Sequence, residues 1–462
     1  MREQQSEIRK SNILFLIADD HRFDGIGAYG NPVVQTPVLD QLAAEGVLYQ
    51  SIYTMGGLTA ALCVPCRASL LTGTHVFQAT ASEKEVSLGQ TEDASLWNLN
   101  PEQTFLPEVF RQDGYRTIGI GKWHNGKESF ARSFADGAGI FFGGMGEHVG
   151  LPLHDYDPQG IYHQDTMYPS ETFSSELFAD KAIDFIQGHE AEEPFFLYVS
   201  FTAPHDPRTP PQAYLDRYPL ADIPLPPNFM TEHPFDNGEL SVRDELLASM
   251  PRTSEEIRQH LADYYSMITH LDDQIGRILA ALRASPHSEN TLIVYTADHG
   301  LALGQHGLLG KQNLYEHSIH IPLIMQGPGL PQGLQVSELG CQMDIYPTLC
   351  ELTGNSIPDK VEGHSMVPNV LGERNERRAS VFSVYKNMQR MVHDGRWKYI
   401  RYSQAGDAGS NRTQLFDLLN DPWEMSDVSE DPAMHAHIQR LEEELQAWQK
   451  DVQDPLLLQK NA

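Results

Sequence analysis

Four short apolar runs in this chain each stop at carboxylates, a lysine or a histidine, and that recurrence narrows the fold more than any other feature. "NILFLIADDHR" ends at Asp19, Asp20 and His21, and "YRTIGIGKWHN" at Lys122 and His124. "PFFLYVSFTAPHDP" ends at His205, and "NTLIVYTADHG" at Asp298 and His299. Each run has the length and the β-branched or aromatic content of a strand buried on both faces, where alternation is not expected. Helical patterns separate them. "TPVLDQLAAEG" predicts a helix closed by Gly46 as its C-cap. Thr253 with Glu256 makes a capping-box pattern ahead of a long helix. Its apolar positions Ile257, Leu261, Tyr264, Ile268, Leu271, Ile275, Ile278 and Leu282 step by three and four. Strand and helix alternation of this kind predicts an α/β fold with a large, mostly parallel sheet flanked by helices. In such sheets ligands sit beyond the carboxyl ends of the strands. The four clusters are therefore expected to converge on one edge.

The texture changes late in the chain. "ASVFSVYKNMQRMVHDGRWKYIRYS" reads as antiparallel strands with "HDG" at a turn. A helix follows, with Met434, Ile438, Leu441, Leu445, Trp448 and Val452 on one packing face. The expected organisation is an N-terminal α/β domain over residues 1–374 and a smaller C-terminal α+β subdomain over 375–462, with a small antiparallel sheet and a terminal helix. The Pro-rich segment 203–227 is expected to be a surface loop.

Composition excludes some functions. A formal charge of −30 argues against binding a phosphate backbone, which needs a basic footprint. No stretch approaches the roughly 20 apolar residues of a membrane span. The start, "MREQQSEIRKSNILFLIADD", carries no secretory signal. The chain as written is thus expected to be cytoplasmic, or periplasmic or secreted if a leader was removed. Four cysteines in 462 residues are too few for a disulfide scaffold.

Adjacent carboxylates such as Asp19 and Asp20 repel each other in a buried crevice unless something positive lies between them. A hard divalent cation with oxygen ligands meets that need. Asp298 and His299 offer a further carboxylate and an imidazole for the same ion; two solvated loop aspartates are the bland alternative. "LCVPCRASLLTG" places Cys63 and Cys66 three residues apart. They could be a thioredoxin-like redox pair, although that motif belongs at the start of a helix in a small domain. A zinc half-site would need a better-spaced second pair than Cys341 and Cys350. Two inert buried thiols are a third reading.

"CVPCRASLLTG" also resembles the signature of type I sulfatases in the alkaline phosphatase superfamily. "GKWH", "PHDP", "TADHGLALGQHGLLGK", "MDIYPTLCELTG" and "LFDLLNDPWE" resemble later segments of that family, in order and spacing. The resemblance implies an alkaline phosphatase-like fold and hydrolysis of a sulfate monoester. It implies that Cys63 is oxidised to formylglycine by a formylglycine-generating enzyme, with Pro65 and Arg67 in the recognition sequence. Cys63, as formylglycine, would be nucleophile and metal ligand, and Asp19, Asp20, Asp298 and His299 would complete the metal shell. Arg67 and Lys122 would hold the aldehyde hydrate, and His124 would take its proton. His205 would protonate the leaving alcohol. Lys311 would grip sulfate oxygens.

The chemistry is coherent. A sulfate monoester is an anion, so an acidic protein must build a local positive island, here from metal, Arg67, Lys122 and Lys311. A thiol is a poor choice of nucleophile for this task, whereas a geminal diol offers an activated oxygen. Its second hydroxyl can then expel sulfate by collapsing to the aldehyde. One departure stands out: the second metal pair is Asp-His, where many family members have Asp-Asn. All-oxygen shells suit calcium, whereas an imidazole admits manganese or another transition ion; Ca2+ is the expected ion, with Mn2+ or Mg2+ as alternatives. The Asp-His pair also resembles phosphonate monoester and phosphodiester hydrolases, an alternative activity with the same nucleophile. A non-catalytic binding protein with unconverted Cys63 is a third hypothesis.

Residues 129–175 read as a long irregular insertion whose aromatic residues suit sugar faces. A sulfated carbohydrate is accordingly the expected substrate, with His148, His154, Arg132 and Arg208 as candidate pocket residues. No nucleic acid or membrane partner is expected.

Overall fold

The structure, a computed structural model, describes residues 10–80, 98–373 and 378–460. The main sheet contains β1 (Asn12–Ala18), β2 (Val47–Tyr53), β3 (Arg116–Lys122), β4 (Asp136–Phe141), β5 (Phe195–Ser200), β6 (Thr291–Ala297), β7 (His320–Gln326) and β8 (Leu334–Val336). Their order is β8-β2-β7-β6-β1-β5-β3-β4, with Gly340–Cys341 added beside β2. The run β6-β1-β5-β3-β4 is parallel throughout. Only β7 runs against its neighbours β2 and β6 among these strands.

β1 is fully buried because both of its faces are covered. Ile13, Phe15 and Ile17 point into one core, and Leu14, Leu16 and Ala18 into the other. Each large side chain buried this way contributes about 1.5–3 kcal/mol, which is why the run carries no polar alternation. The helices α1 (Pro37–Ala44), α3 (Ser174–Gly188) and α4 (Ser254–Ala284) cover the second face. The helices α2 (Cys63–Thr72) and α5 (Ile345–Thr353) cover the first. All eight apolar positions expected along α4 are buried. Its cap closes by half: Thr253 Oγ1 accepts from the Glu256 N–H at 3.2 Å, while the Glu256 carboxylate turns to the backbone and hydroxyl of Ser249.

Two local expectations are corrected. α1 ends at Ala44, and Gly46 is not a left-handed cap. A Cβ there would lie 2.3 Å from the Met325 carbonyl oxygen, so glycine serves close approach to β7. The segment 129–175 is not uniformly irregular: it begins within the helix Lys127–Ser133 and supplies β4, the edge strand beside β3. "DGAGIF" hid that strand because its two glycines dilute the β-branched signal.

A second sheet is built from β9 (Val381–Tyr385), β10 (Gln389–His393), β11 (Trp397–Tyr402) and β12 (Arg412–Asp417), all antiparallel. α6 (His435–Asp451) packs on it through Leu441 and Leu445. Gly56 and Gly57, from the segment leading into α2, pair in parallel with Val384 and Tyr385. The C-terminal sheet thus takes an edge from the early part of the chain and braces the approach to Cys63. No helix among the described residues is long and apolar enough to cross a membrane.

Candidate active site

Ladder register brings the site residues level. Ala18 pairs with Ala297, Ile17 with Ser200, and Ser200 with Gly121. β6, β1, β5 and β3 therefore end side by side and release Asp298-His299, Asp19-Asp20, His205 and Lys122 at one edge. Gly121 makes the last step possible. Its φ is +85°, and a Cβ would lie 2.0 Å from the Ser200 carbonyl oxygen. The register with β4 shifts across this residue, and the turned backbone sends the fully buried Lys122 ammonium to the Asp19 carboxylate. Asp20 and His124 hold left-handed φ values of 63° and 60°. Such backbone costs about 1–3 kcal/mol per residue and clusters at sites where position matters more than stability.

Cys63 opens α2, at the positive pole of the helix dipole. Its Sγ lies 3.4 Å from Asp19 Oδ1, 3.4 Å from His299 Nε2 and 3.4 Å from Lys311 Nζ. Arg67, one turn further along the same face, donates from Nε to Asp298 Oδ2 at 2.9 Å and from Nη1 to Ser200 Oγ at 2.6 Å. Lys311 Nζ donates to Asp20 Oδ1 at 2.9 Å and sits 3.1 Å from His205 Nε2. His124 hydrogen-bonds the Cys63 sulfur.

These contacts separate chemically identical residues. Burial opposes ionisation of Cys63, yet Lys122, Lys311 and His299, with the hydrogen bond from His124, hold its thiol well below the ordinary range. Burial pushes the Cys66 thiol up instead, and its sulfur is 3.5 Å from the Gly56 carbonyl oxygen. Both are free, so neither forms a disulfide. Burial also pushes Asp19 well above the usual carboxylate range, helped by Asp298 and Cys63 against Lys122. The imidazoles divide. Burial lowers His124 to about 4. Against the same penalty, Asp20 raises His205 to about 9, and Asp298 raises His299 to about 9.

A family model described as "Sulfatase" matches residues 11–355, and one described as "N-sulphoglucosamine sulphohydrolase, C-terminal" matches 304–451. The chain belongs to the sulfatase family. It is an enzyme of the sulfuric ester hydrolase class, with the α/β architecture of sulfatase structures. It is 30% identical over 454 residues to an arylsulfatase of Clostridium perfringens, covering 91% of this chain and 90% of that one. It is 26% identical over 496 residues to an N-acetylglucosamine-6-O-sulfatase of Bacteroides thetaiotaomicron, covering 93% and 82%. A protein solved in complex with its substrate D-glucosamine-2-N,6-O-disulfate superposes with a TM-score of 0.79 at 23% identity, over 96% of this chain and 99% of that one.

The donor set of this sulfatase fits a divalent cation. Ligand atoms of Asp19, Asp20, Cys63 and His299 all lie within 4.8 Å of one another, in a fully buried cluster. Two carboxylates, a sulfur and an imidazole converging in one buried crevice are a donor set suited to a divalent cation, which would share Asp19 with Lys122 and Asp20 with Lys311. Asp298 stands slightly apart. Its Oδ2 is taken by Arg67, and its Oδ1 accepts the N–H groups of Asp20 at 3.1 Å and His299 at 2.9 Å. Asp20, His205 and Asp206 also come within ligand distance of one another. There, however, both Asp206 oxygens accept from Arg243, at 2.7 and 2.8 Å.

The pocket candidates fare differently. His148 is buried behind the site, its Nε2 3.2 Å from the His205 carbonyl oxygen. His154 packs against Phe142 and Tyr162. Arg132 is spent on Glu108 and the Gln103 carbonyl, away from the crevice. Arg208 lies over the Tyr264 ring, close enough to lower the Asp206 carboxyl. Sequence reasoning missed Ser200, Asp206 and Arg243. Asp206 stood within "PHDP", but Arg243 carries no local pattern at all.

Proposed function

We propose that this sulfatase hydrolyses a sulfate monoester of a carbohydrate, with an amino-sugar sulfate as the leading class, after conversion of Cys63 to formylglycine. One observation carries the reading: the Cys63 sulfur heads α2 at 3.4 Å from each of a carboxylate, an imidazole and an ammonium. Formylglycine, as its hydrate, would supply the oxygen nucleophile toward sulfur. Asp19, Asp20, Asp298, His299 and the residue-63 side chain would hold a divalent cation, Ca2+ in this reading, which would supply Lewis acidity and offset the carboxylates.

The chain's own groups do the rest. Lys311 grips the sulfate oxygens, and Arg67 and Lys122 hold the nucleophile's oxygens in line. His205, with Nε2 facing the cluster, would give its proton to the leaving alkoxide as the S–O bond breaks. His124, held neutral by burial, accepts the proton released as sulfate departs. The sugar assignment is supported by the amino-sugar sulfates named for the Bacteroides relative and the superposed complex.

The test is turnover of 4-nitrophenyl sulfate, sulfated glucosamines and a phosphonate monoester by protein co-expressed with a formylglycine-generating enzyme. Peptide mass spectrometry at residue 63 accompanies it. Desulfation of glucosamine sulfates with converted Cys63 is expected. A large preference for the phosphonate overturns the sulfatase reading in favour of a phosphonate hydrolase with the same nucleophile. An unconverted, inactive residue 63 after co-expression points to a binding protein instead.

A further inference from the structure

Arg243, Asp244 and Glu245 open a short helical turn, Arg243–Leu247, that precedes α4 and lies outside the strand ends that form the crevice. Each of the three side chains nevertheless reaches one of two crevice loops. Arg243 grips both oxygens of Asp206, at 2.7 and 2.8 Å. Asp206 in turn flanks the ring of His205: His205 Nδ1 is 2.7 Å from the Asp206 carbonyl oxygen and 3.3 Å from Asp206 Oδ1. A carbonyl only accepts, so Nδ1 carries hydrogen and Nε2 is left facing Lys311.

The other two residues hold the lysine loop. Glu245 accepts the backbone N–H groups of Leu309 at 2.9 Å and Gly310 at 2.8 Å. Asp244 Oδ2 accepts from Gln312 Nε2 at 2.7 Å, and Gln312 Oε1 accepts the backbone N–H of Lys311 at 3.0 Å. His205 and Lys311 leave different loops more than a hundred residues apart, yet their nitrogens stand at 3.1 Å. Asp20 lies between them, accepting from Lys311 Nζ at 2.9 Å with its Oδ2 3.7 Å from His205 Nε2, and the spacing further depends on how the two loops are held.

We propose that Arg243, Asp244 and Glu245 form a clamp of positioning residues: Arg243, through Asp206, orients His205, while Asp244 and Glu245, through residues 309–312, hold Lys311 beside it. The inference rests on the sulfatase reading for the roles of the two clamped groups. The arms meet, since Arg243 also donates to Asp244 Oδ1 at 3.0 and 2.8 Å, but each ends on a different crevice group and is read by a different kinetic signature. Losing the Arg243 arm misdirects the proton to the leaving alcohol, which matters only when that alcohol is a poor leaving group. Losing the Asp244 arm loosens the grip on sulfate, which every ester shares.

The experiment compares wild type, Arg243→Ala, Arg243→Lys and Asp244→Ala on 4-nitrophenyl sulfate and on an alkyl sulfate or sugar sulfate that wild type turns over. For Arg243→Ala we expect kcat on the alkyl ester to fall about 30- to 100-fold, and that on the aryl ester to change by less than about threefold. Arg243→Lys, with a single ammonium in place of the fork, is expected to recover part of the alkyl rate. Asp244→Ala is expected to lower kcat/KM on both esters by one similar factor of about ten. Equal losses on both esters for Arg243→Ala, or none on either, overturn the clamp, as does leaving-group selectivity in Asp244→Ala. Should Arg243→Ala lower the melting temperature markedly, Asp206→Asn replaces it under the same criterion. A wild type that prefers phosphonates overturns the sulfatase reading alone, and the clamp is then scored on aryl and alkyl phosphonates.

Discussion

Arg67 Nε lies 2.9 Å from Asp298 Oδ2, with both side chains wholly shielded from solvent, and the pair ties the first turns of α2 to the end of β6. Such a pair gains from every further hydrogen bond its two ends make. Here Ser200 takes a guanidinium N–H and two backbone N–H groups fill the other carboxylate oxygen, while Arg67 Nη2 has no partner among the described residues. The helix that carries Cys63 is thereby locked to the strand that carries Asp298.

Removing the cation from that pair strands a buried carboxylate. Arg67→Ala is expected to cost about 3–5 kcal/mol in urea unfolding. A loss below about 1 kcal/mol would show that the pair does not anchor α2.

Cys63 makes only long contacts through sulfur, so Cys63→Ala is expected to abolish turnover while leaving the melting temperature within a few degrees of wild type. Retained activity in this variant defeats the nucleophile assignment. Peptide mass spectrometry on converted wild type should show the loss of sulfur and two hydrogens and the gain of one oxygen at this residue.

Lys311→Ala is expected to reduce kcat/KM on sulfate esters about a hundredfold with the fold preserved. An unchanged kcat/KM argues against contact between this lysine and the sulfate.

Chelation is expected to abolish activity and lower the melting temperature, because an ion bound at a hundred times its Kd stabilises by about 2.7 kcal/mol. Calcium should restore both more fully than manganese, read by thermal melts and by metal content of the purified protein. Full activity in metal-depleted protein counts against the cluster around Asp19 and Asp20 as a cation site.

Gly121→Ala tests the turn that aims Lys122. Left-handed backbone alone costs about 1–3 kcal/mol for a side-chain-bearing residue, and the clash with the Ser200 carbonyl adds to it. Wild-type stability in this variant would mean that β3 can end differently.

Legibility followed the physics. β1, β3, β5 and β6 could be read because strands covered on both faces need unbroken apolar runs, and the polar residues that end those runs lie where the sheet ends. β4 escaped because its two glycines serve close approach rather than burying side chains, Gly137 to the Gly119 carbonyl of β3 and Gly139 to Leu177 of α3. Gly46 misled because a glycine after a helix can serve a cap or a close contact, and only the position of Met325 distinguishes them. Asp206 and Arg243 lie 37 residues apart with no shared periodicity, so no pattern in the chain links them.

What the sequence determined by itself was an inventory with an address: which strands are buried, which polar residues stand at their ends, and which cysteine opens the signature. What only the tertiary structure decided is how each of those groups is charged. Cys63 and Cys66 share one helix yet their thiols shift in opposite directions, and His205 rises to about 9 where His124 falls to about 4. Residue type is written in the chain, but proton affinity depends on burial and on the distance to neighbouring charges, and those distances exist only once the strands are aligned.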